Sequence, residues 1–291
     1  MNDTDCIDGI LPTKAVMLEE VFIIDKVSKG FPLNNGTVLN VLTDVSLTIH
    51  DIQYKPQIVS ILGPSGGGKT TLLRILAGLD KPDSGKVIIK DGMMREVQVG
   101  DVGVVFQRYP LFDDRNVLQN LVEPARNSGL SKPEATAKAN KFLEEFELAR
   151  QASSFPAQLS GGQRQRVAIA QQLIQDRKYI ILDEPFSGLD PNNITKVINL
   201  LTNIANKHTD NTFIIVTHDI TSALIISDTV CLLGKPNTAD KNSGAYFVKE
   251  YDLIEEGLAY HPGIEDMPRF LEIRKEIKYV EFPRLVIAKN S

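Results

Sequence analysis

The chain has no tryptophan and only two cysteines, Cys6 and Cys231, in 291 residues. A pair so far apart in sequence cannot frame a disulfide scaffold, and two reduced thiols in a cytosolic protein are the expectation. The four histidines show no metal-ligand spacing with one another or with the cysteines, which removes a zinc site of the usual kind. No apolar run approaches the ~18 residues that a membrane span requires. The most apolar stretches, residues 179–182 and 213–216, are strand-sized. The start, Met1-Asn2-Asp3-Thr4-Asp5, is acidic and lacks the basic flank and apolar stretch of a secretory signal. A cytoplasmic chain is expected, with any membrane contact made through a partner. A net charge of −5 argues against a broad nucleic-acid-binding face, so no nucleic acid is expected among the partners. There is no internal repeat and no low-complexity segment.

What is present suffices for one large domain, or one domain with a smaller appendage. Hydrophobic residues make up 42% and charged residues 24%, which permits a full core and argues against wholesale disorder. Residues 1–17 carry no periodicity and are expected to form a loose leader. Strand-like stretches at 21–27 and 45–49, with the turn Asn34-Asn35-Gly36 between them, read as an antiparallel element. Residues 57–62 form a buried-type strand that runs into a glycine-rich loop. The apolar positions Leu72, Leu73, Ile75, Leu76 and Leu79 then predict a helix, closed by Gly78 and Pro82.

Residues 87–89 and 102–106 add two strands. From about 117 to 149 the pattern turns helical, with Ser131-Lys132-Pro133-Glu134 as a helix start. Buried-type strands at 179–182, 213–216 and 230–233 alternate with helical 193–207 and 221–227, which indicates a parallel α/β sheet. The fold class is therefore α/β, with an antiparallel β subdomain and a helical subdomain inserted at about 107–175. Beyond Gly244 the pattern is mixed, with an amphipathic helix expected at 270–277 between Pro268 and Pro283.

Gly63-Pro64-Ser65-Gly66-Gly67-Gly68-Lys69-Thr70 fits G-x-x-x-x-G-K-[ST]. Its glycines let consecutive N–H groups turn inward around phosphate oxygens, and the following helix adds the positive end of its dipole. Lys69 is expected to reach the β- and γ-phosphates, and the Thr70 hydroxyl to bind Mg²⁺, with Thr71 completing the nucleotide contacts. The strand at 179–182 ends in Asp183-Glu184. Successive side chains on a strand point in opposite directions, so the two acids can serve different roles. Asp183 is expected to hold Mg²⁺ and Glu184 to act on the attacking water as general base. Alone, such a pair is as consistent with the solvated end of a strand; its place after a phosphate loop supports the functional reading.

Leu159-Ser160-Gly161-Gly162-Gln163, continued by Arg164-Gln165-Arg166-Val167-Ala168-Ile169-Ala170, resembles the signature of ABC transporter nucleotide-binding subunits. The resemblance covers roughly residues 18–235. It implies a P-loop NTPase core of ABC type, with the ATPase domain at 18–243 and an extension of unassigned role at 244–291. It also implies that Phe31 stacks on adenine, that Gln107 touches Mg²⁺ and the catalytic centre, and that Ser187-Gly188-Leu189-Asp190 is the D-loop, with Asp190 near nucleotide. His218, in Thr217-His218-Asp219, matches the switch histidine that faces the γ-phosphate. Catalysis would fall to Glu184, His218, Gln107 and Lys69.

In the family, ATP is sandwiched between the loop Gly63–Lys69 of one subunit and Ser160, Gly161, Gly162 and Gln163 of another. The implied partners are a second copy or a homologous cassette, and transmembrane permease subunits docking at residues 108–120, from Arg108 to Asn120. Importers add a separate substrate-binding protein. Attachment through permeases would place the chain on the cytoplasmic face of the inner or plasma membrane. Residues 103–112 and 76–85 are similar to importer-type cassettes of the nitrate, sulfonate and taurine group. Gly67 stands where serine or cysteine is common, and Thr221-Ser222 replace acidic residues common after the histidine. An export or lipid-trafficking motor would share this chemistry. Non-transport ABC ATPases are disfavoured, because Lys69 and Ser160 leave no room for a long coiled coil and the chain carries one cassette.

Overall fold

A computed structural model describes residues 17–52, 55–207, 210–240, 242–261 and 263–285. Cys6 and residues 1–16 of the expected leader lie outside the described residues. Among the described residues ten strands form two sheets, and the strand read from residues 57–62 lies inside the larger one. This strand, β3 (Gln57–Leu62), is buried at every position, as expected of a strand with neighbours on both edges and cover on both faces. It pairs in parallel with β8 (Thr212–Thr217) and β9 (Thr229–Gly234). β8 pairs with β7 (Tyr179–Asp183), and β7 with β6 (Val102–Val105), again in parallel. β10 (Tyr246–Asp252) joins β9 antiparallel, giving the order β10-β9-β3-β8-β7-β6.

The smaller sheet is antiparallel, in the order β2-β1-β4-β5. β1 (Met17–Pro32) and β2 (Val38–Ile52) are much longer than the apolar stretches 21–27 and 45–49 implied, running out to a hairpin at Asn34-Asn35-Gly36. Register shifts along the pair mark bulges that bend the long ribbon. β4 (Ser84–Asp91) and the edge strand β5 (Met93–Glu96) complete the sheet. Tyr179 pins the two sheets together. Its ring meets Phe22 edge-on with centroids 5.5 Å apart, and its hydroxyl lies 2.8 Å from the carbonyls of both Val21 and Lys90.

The helix α1 (Lys69–Leu76) follows the glycine loop and stops at Gly78, whose φ of +69° breaks the turn. Leu79, counted in the helical pattern, therefore lies past the helix and is exposed. α2 (Val117–Asn127) starts with a reciprocal capping box of Asn116 with Gln119, and α3 (Lys132–Glu145) with Ser131 N–H donating to Glu134 Oε2 at 2.9 Å. α4 (Gly161–Leu173) buries Val167, Ile169, Ala170 and Leu173 in the same core as α2 and α3. Its body is thus fixed while its first residues face outward. α5 (Pro191–Lys207) and α6 (Ile220–Ile226) fill the crossovers between β7, β8 and β9.

The stretch beyond Gly244, mixed in sequence pattern, continues the main sheet. Residues 246–252 are an edge strand of the main sheet. Beyond them α7 (Pro268–Glu276) packs Phe270 and Ile273 with Leu253, Leu258 and Ile264 against Leu62, Leu224 and Leu232 of the core. The expected helix at 270–277 runs on as a π turn over Ile277–Glu281. Leu285 closes the chain onto β9, so tightly that a Cβ on Gly234 would lie 2.5 Å from its Cδ1. Among the described residues, no helix is long and apolar enough to cross a membrane.

Candidate active site

Strand order decides which side chains meet. β3, β8, β7 and β6 are consecutive neighbours with a common direction, so the loops leaving their carboxyl ends are adjacent. Those loops carry, in turn, the glycine loop, His218, the Asp183-Glu184 pair and Gln107. Register makes this specific, because Leu62 pairs with Thr217 and Asp183 with Val216.

The glycine loop closes on itself through Gly67 N–H donating to the Pro64 carbonyl at 3.1 Å. Gly68, at φ +86°, turns the chain into α1 in a conformation that a side chain would strain. Gly63 is fixed by a different constraint: a Cβ there would sit 2.4 Å from the Leu233 carbonyl oxygen. Lys69 is buried, and its Nζ donates to the Gly63 and Pro64 carbonyls at 2.9 and 3.1 Å. It also stands 3.6 Å from Glu184 Oε1. Ser65, Gly66 and Thr70 are exposed at the mouth of the loop, Thr71 half-buried behind them.

Glu184 is the hub. Its Oε2 lies 2.8 Å from His218 Nδ1 and 3.3 Å from the Thr217 hydroxyl that donates to it. Its own N–H donates to the Val216 carbonyl at 2.8 Å. The residue holds φ at +49°, unusual for a side chain larger than glycine. Asp183 is half-buried beside it. Burial, and then the Glu184 charge, raise the Asp183 pKa, opposed by Lys69. Burial lowers the pKa of Lys69, opposed by Glu184 and Asp183. In both groups burial outweighs the opposite charge that already stands beside it, so both charged forms are under-compensated. A ligand carrying both phosphate and a divalent cation would relieve the two together.

Gln107 leaves β6 and donates Nε2 to Ser187 Oγ at 3.2 Å. Asp190 caps α5, accepting from Asn193 N–H at 3.2 Å and from Asn193 Nδ2 at 2.6 Å. Its carboxylate is thus engaged within its own chain. Phe31 stands apart near the hairpin end, 42% exposed, with Lys29 Nζ 5.8 Å from its ring.

The signature stretch lies elsewhere. Ser160 caps α4, its hydroxyl accepting from Gln163 N–H at 3.3 Å while Gln163 Oε1 accepts from Ser160 N–H at 3.0 Å. Ser160, Gly161, Gly162 and Gln163 line a groove of about 950 Å³ together with Asn193, Lys196 and other residues of α5. No residue of the glycine loop lines it. The glycine loop and the signature stretch are therefore separate surfaces of the chain. A Cβ on Gly161 or on Gly162 would meet nothing within 4 Å.

Sequence reasoning missed three contributors. Thr217 ends a strand next to β7, beside His218, and that position is the signal for it. Tyr109 and Gln165 carry no motif of their own. Both converge on the Pro185 carbonyl, Tyr109 Oη at 3.3 Å and Gln165 Nε2 at 2.7 Å.

With the geometry in hand, residues 42–187 match the family model described as ABC transporter. A probable amino-acid ABC transporter ATP-binding protein of Sinorhizobium fredii is 40% identical over 238 residues, covering 75% of this chain and 88% of that protein. The lipoprotein-releasing system ATP-binding protein LolD of Rickettsia typhi is 37% identical over 206 residues, covering 70% and 90%. A dimeric ATP-binding cassette solved in a post-hydrolysis state with ADP and Pi superimposes with a TM-score of 0.64 at 31% identity, covering 80% of this chain and 98% of that one.

Proposed function

The chain belongs to the ABC transporter family and is an ATPase of that family, and from that premise we propose that two copies trap ATP between them to power a membrane permease. In this reading each ATP lies between the glycine loop of one copy and Ser160–Gln163 of the other. The observation that carries it is the open space around Gly161 and Gly162. Glycine in a helix costs up to about 1 kcal/mol relative to alanine. Neither φ nor packing within this chain calls for it there, whereas close approach by a facing surface does.

Lys69 then binds the β- and γ-phosphates, releasing the carbonyls it now holds, and backbone N–H groups of Ser65–Thr71 cradle the rest. Glu184 accepts the proton of the attacking water, held in aim by Thr217 and His218. His218 Nδ1 faces a carboxylate, which can only accept, so that nitrogen donates, and Nε2 would donate to a γ-phosphate oxygen only with the ring doubly protonated. Phe31 stacks on the base, and Asp190 steadies the loop nearest the partner.

Thr70, Gln107 and Asp183 offer a hydroxyl, an amide and a carboxylate, the hard oxygen set that Mg²⁺ takes when phosphates supply further ligands. The raised pKa of Asp183 fits that reading, because a cation would restore its charge. Bound there, Mg²⁺ would neutralise charge on the phosphates.

Residues 108–120 are the proposed permease-docking surface, with Phe112 exposed and Arg115 stacked on it at 4.7 Å. The importer reading, of the nitrate, sulfonate and taurine type, rests on the motif neighbourhood at 103–112 and 76–85 and would bring in a substrate-binding protein. The lipoprotein-releasing relative favours a second reading, a motor for lipid or protein release. Affinity purification of the membrane subunit separates them. The dimer reading is tested by sedimentation of Glu184→Gln with ATP and Mg²⁺: a dimer is expected, and it is expected to vanish when Ser160→Arg is added. An undiminished dimer in the double variant would refute the sandwich.

A further inference from the structure

Glu184 sits in left-handed backbone without a glycine to ease it, so something outside the residue must hold it there. On one side its N–H is tied to the Val216 carbonyl of β8. On the other side the next carbonyl, that of Pro185, receives two donors from different elements. One is the Tyr109 hydroxyl from the segment after β6. The other is Nε2 of Gln165, from the second turn of α4. We propose that Tyr109 and Gln165 are positioning residues for hydrolysis, aiming the Glu184 carboxylate by fastening the Pro185 carbonyl from two sides.

Three observations support the assignment. Gln165 is 1% exposed, and its Oε1 has no hydrogen-bond partner. A buried amide with half its capacity unused is unfavourable, and packing alone would be served better by methionine or leucine. What this side chain adds beyond packing is the Nε2 donor. Tyr109 itself stands at φ +46°, its N–H closing a turn on the Phe106 carbonyl at 2.8 Å, and this strained turn carries its ring inward. Burial pushes its pKa up to about 12, so the hydroxyl keeps its proton and donates.

The two donors come from the two elements that face partners. Tyr109 lies in the proposed docking segment, and Gln165 is five residues past Ser160 at the signature cap. A shift of either element reaches the Pro185 carbonyl directly and Glu184 through one peptide unit. The inference rests on Glu184 being the base, and its test keeps the two claims apart.

The test uses the full-length chain and single-turnover ATP hydrolysis. Tyr109→Phe removes only the hydroxyl, and Gln165→Met only the amide. Each is expected to lower kcat by about tenfold, the equivalent of one ordinary hydrogen bond, with KM for ATP within about twofold of the parent. In the Glu184→Gln background the same substitutions are expected to have no further effect on residual turnover. Parental kcat in both variants would overturn the proposal. So would an equal fractional loss in the Glu184→Gln background, since the residues would then act other than through the carboxylate. Near-normal turnover of Glu184→Gln alone would remove the base instead, and is read separately. Should Gln165→Met not fold by urea denaturation, Tyr109→Phe decides alone, because its ring and backbone are retained.

Discussion

His218 Nδ1 stands 2.8 Å from Glu184 Oε2, and the same oxygen receives the Thr217 hydroxyl at 3.3 Å. Two donors from the end of β8 thus orient the carboxylate at the end of β7. The adjacency follows from parallel pairing in which Asp183 faces Val216, which leaves the next residues of both strands side by side. The orientation of the Glu184 carboxylate is set by sheet register.

Replacing Glu184 by glutamine keeps the shape and removes the proposed base. Turnover is expected to fall by ~10²–10⁴, the usual worth of general base catalysis, while ATP affinity is kept. Steady-state ATPase measurements beside equilibrium nucleotide binding check this, and near-normal kcat would dismiss Glu184 from the role.

Thr217→Val removes the hydroxyl that donates to Glu184 and keeps the β-branched shape that suits the strand. Because the hydroxyl donates to the Glu184 carboxylate, kcat is expected to fall about tenfold with little change in KM. A variant that instead raises KM with kcat unchanged would show that Thr217 serves binding.

Lys69→Ala acts on the other half of the same cluster. The ammonium is buried among two acids and the loop carbonyls, so its removal leaves Asp183 and Glu184 without a counter-charge and the γ-phosphate without its cation. ATP binding is expected to weaken at least tenfold, read by titration with a fluorescent nucleotide. Unchanged affinity would contradict the assignment.

Much of this site was legible because its parts are local in sequence. The strand 57–62, the glycine loop and the helix after it appear in the structure where periodicity put them. The Ser131–Glu134 box does as well. What escaped lacks local pattern. β5, Met93–Glu96, is an exposed edge strand with no buried face to leave an alternation. β10 carries Lys249 and Glu250 in its middle and reads as mixed, yet it completes the main sheet. Thr217, Tyr109 and Gln165 acquire their roles only when β6, β7, β8 and α4 come together, and contacts of that range leave no periodic trace.

Tyr179 offers a test of how the two sheets hold together. Its hydroxyl meets two backbone carbonyls across the sheet boundary and accepts Lys90 N–H at 3.2 Å. Tyr179→Phe leaves the ring packed on Phe22 but abandons these groups in a buried place. A loss of about 1–3 kcal/mol is expected in urea unfolding, with ATP affinity retained because the glycine loop is on another strand. A loss within error of zero would show that water takes over those partners.

Asp228 gives the pH dependence a defined source. It is 2% exposed, its Oδ2 accepts Ile58 N–H at 2.6 Å, and Tyr260 Oη lies 3.5 Å away. Burial outweighs these donors, and with Asp252 nearby pushes its pKa up to about 7. In the unfolded chain the same carboxyl titrates near ~3.9. Between about 4 and 7 the folded chain keeps a proton that the unfolded chain has released, so stability falls as pH rises through that window and levels off above it. The loss over the whole window is on the order of a few kcal/mol. Asp228→Asn keeps an acceptor for Ile58 and cannot ionise. Unfolding free energies measured at pH 5 and pH 8 are expected to differ less in the variant than in the parent, with the gap closing on the acid side. The surface ion pairs titrate alike in both proteins and cancel in that comparison. Identical slopes in the two proteins would mean that Asp228 ionises in the folded chain as easily as in water.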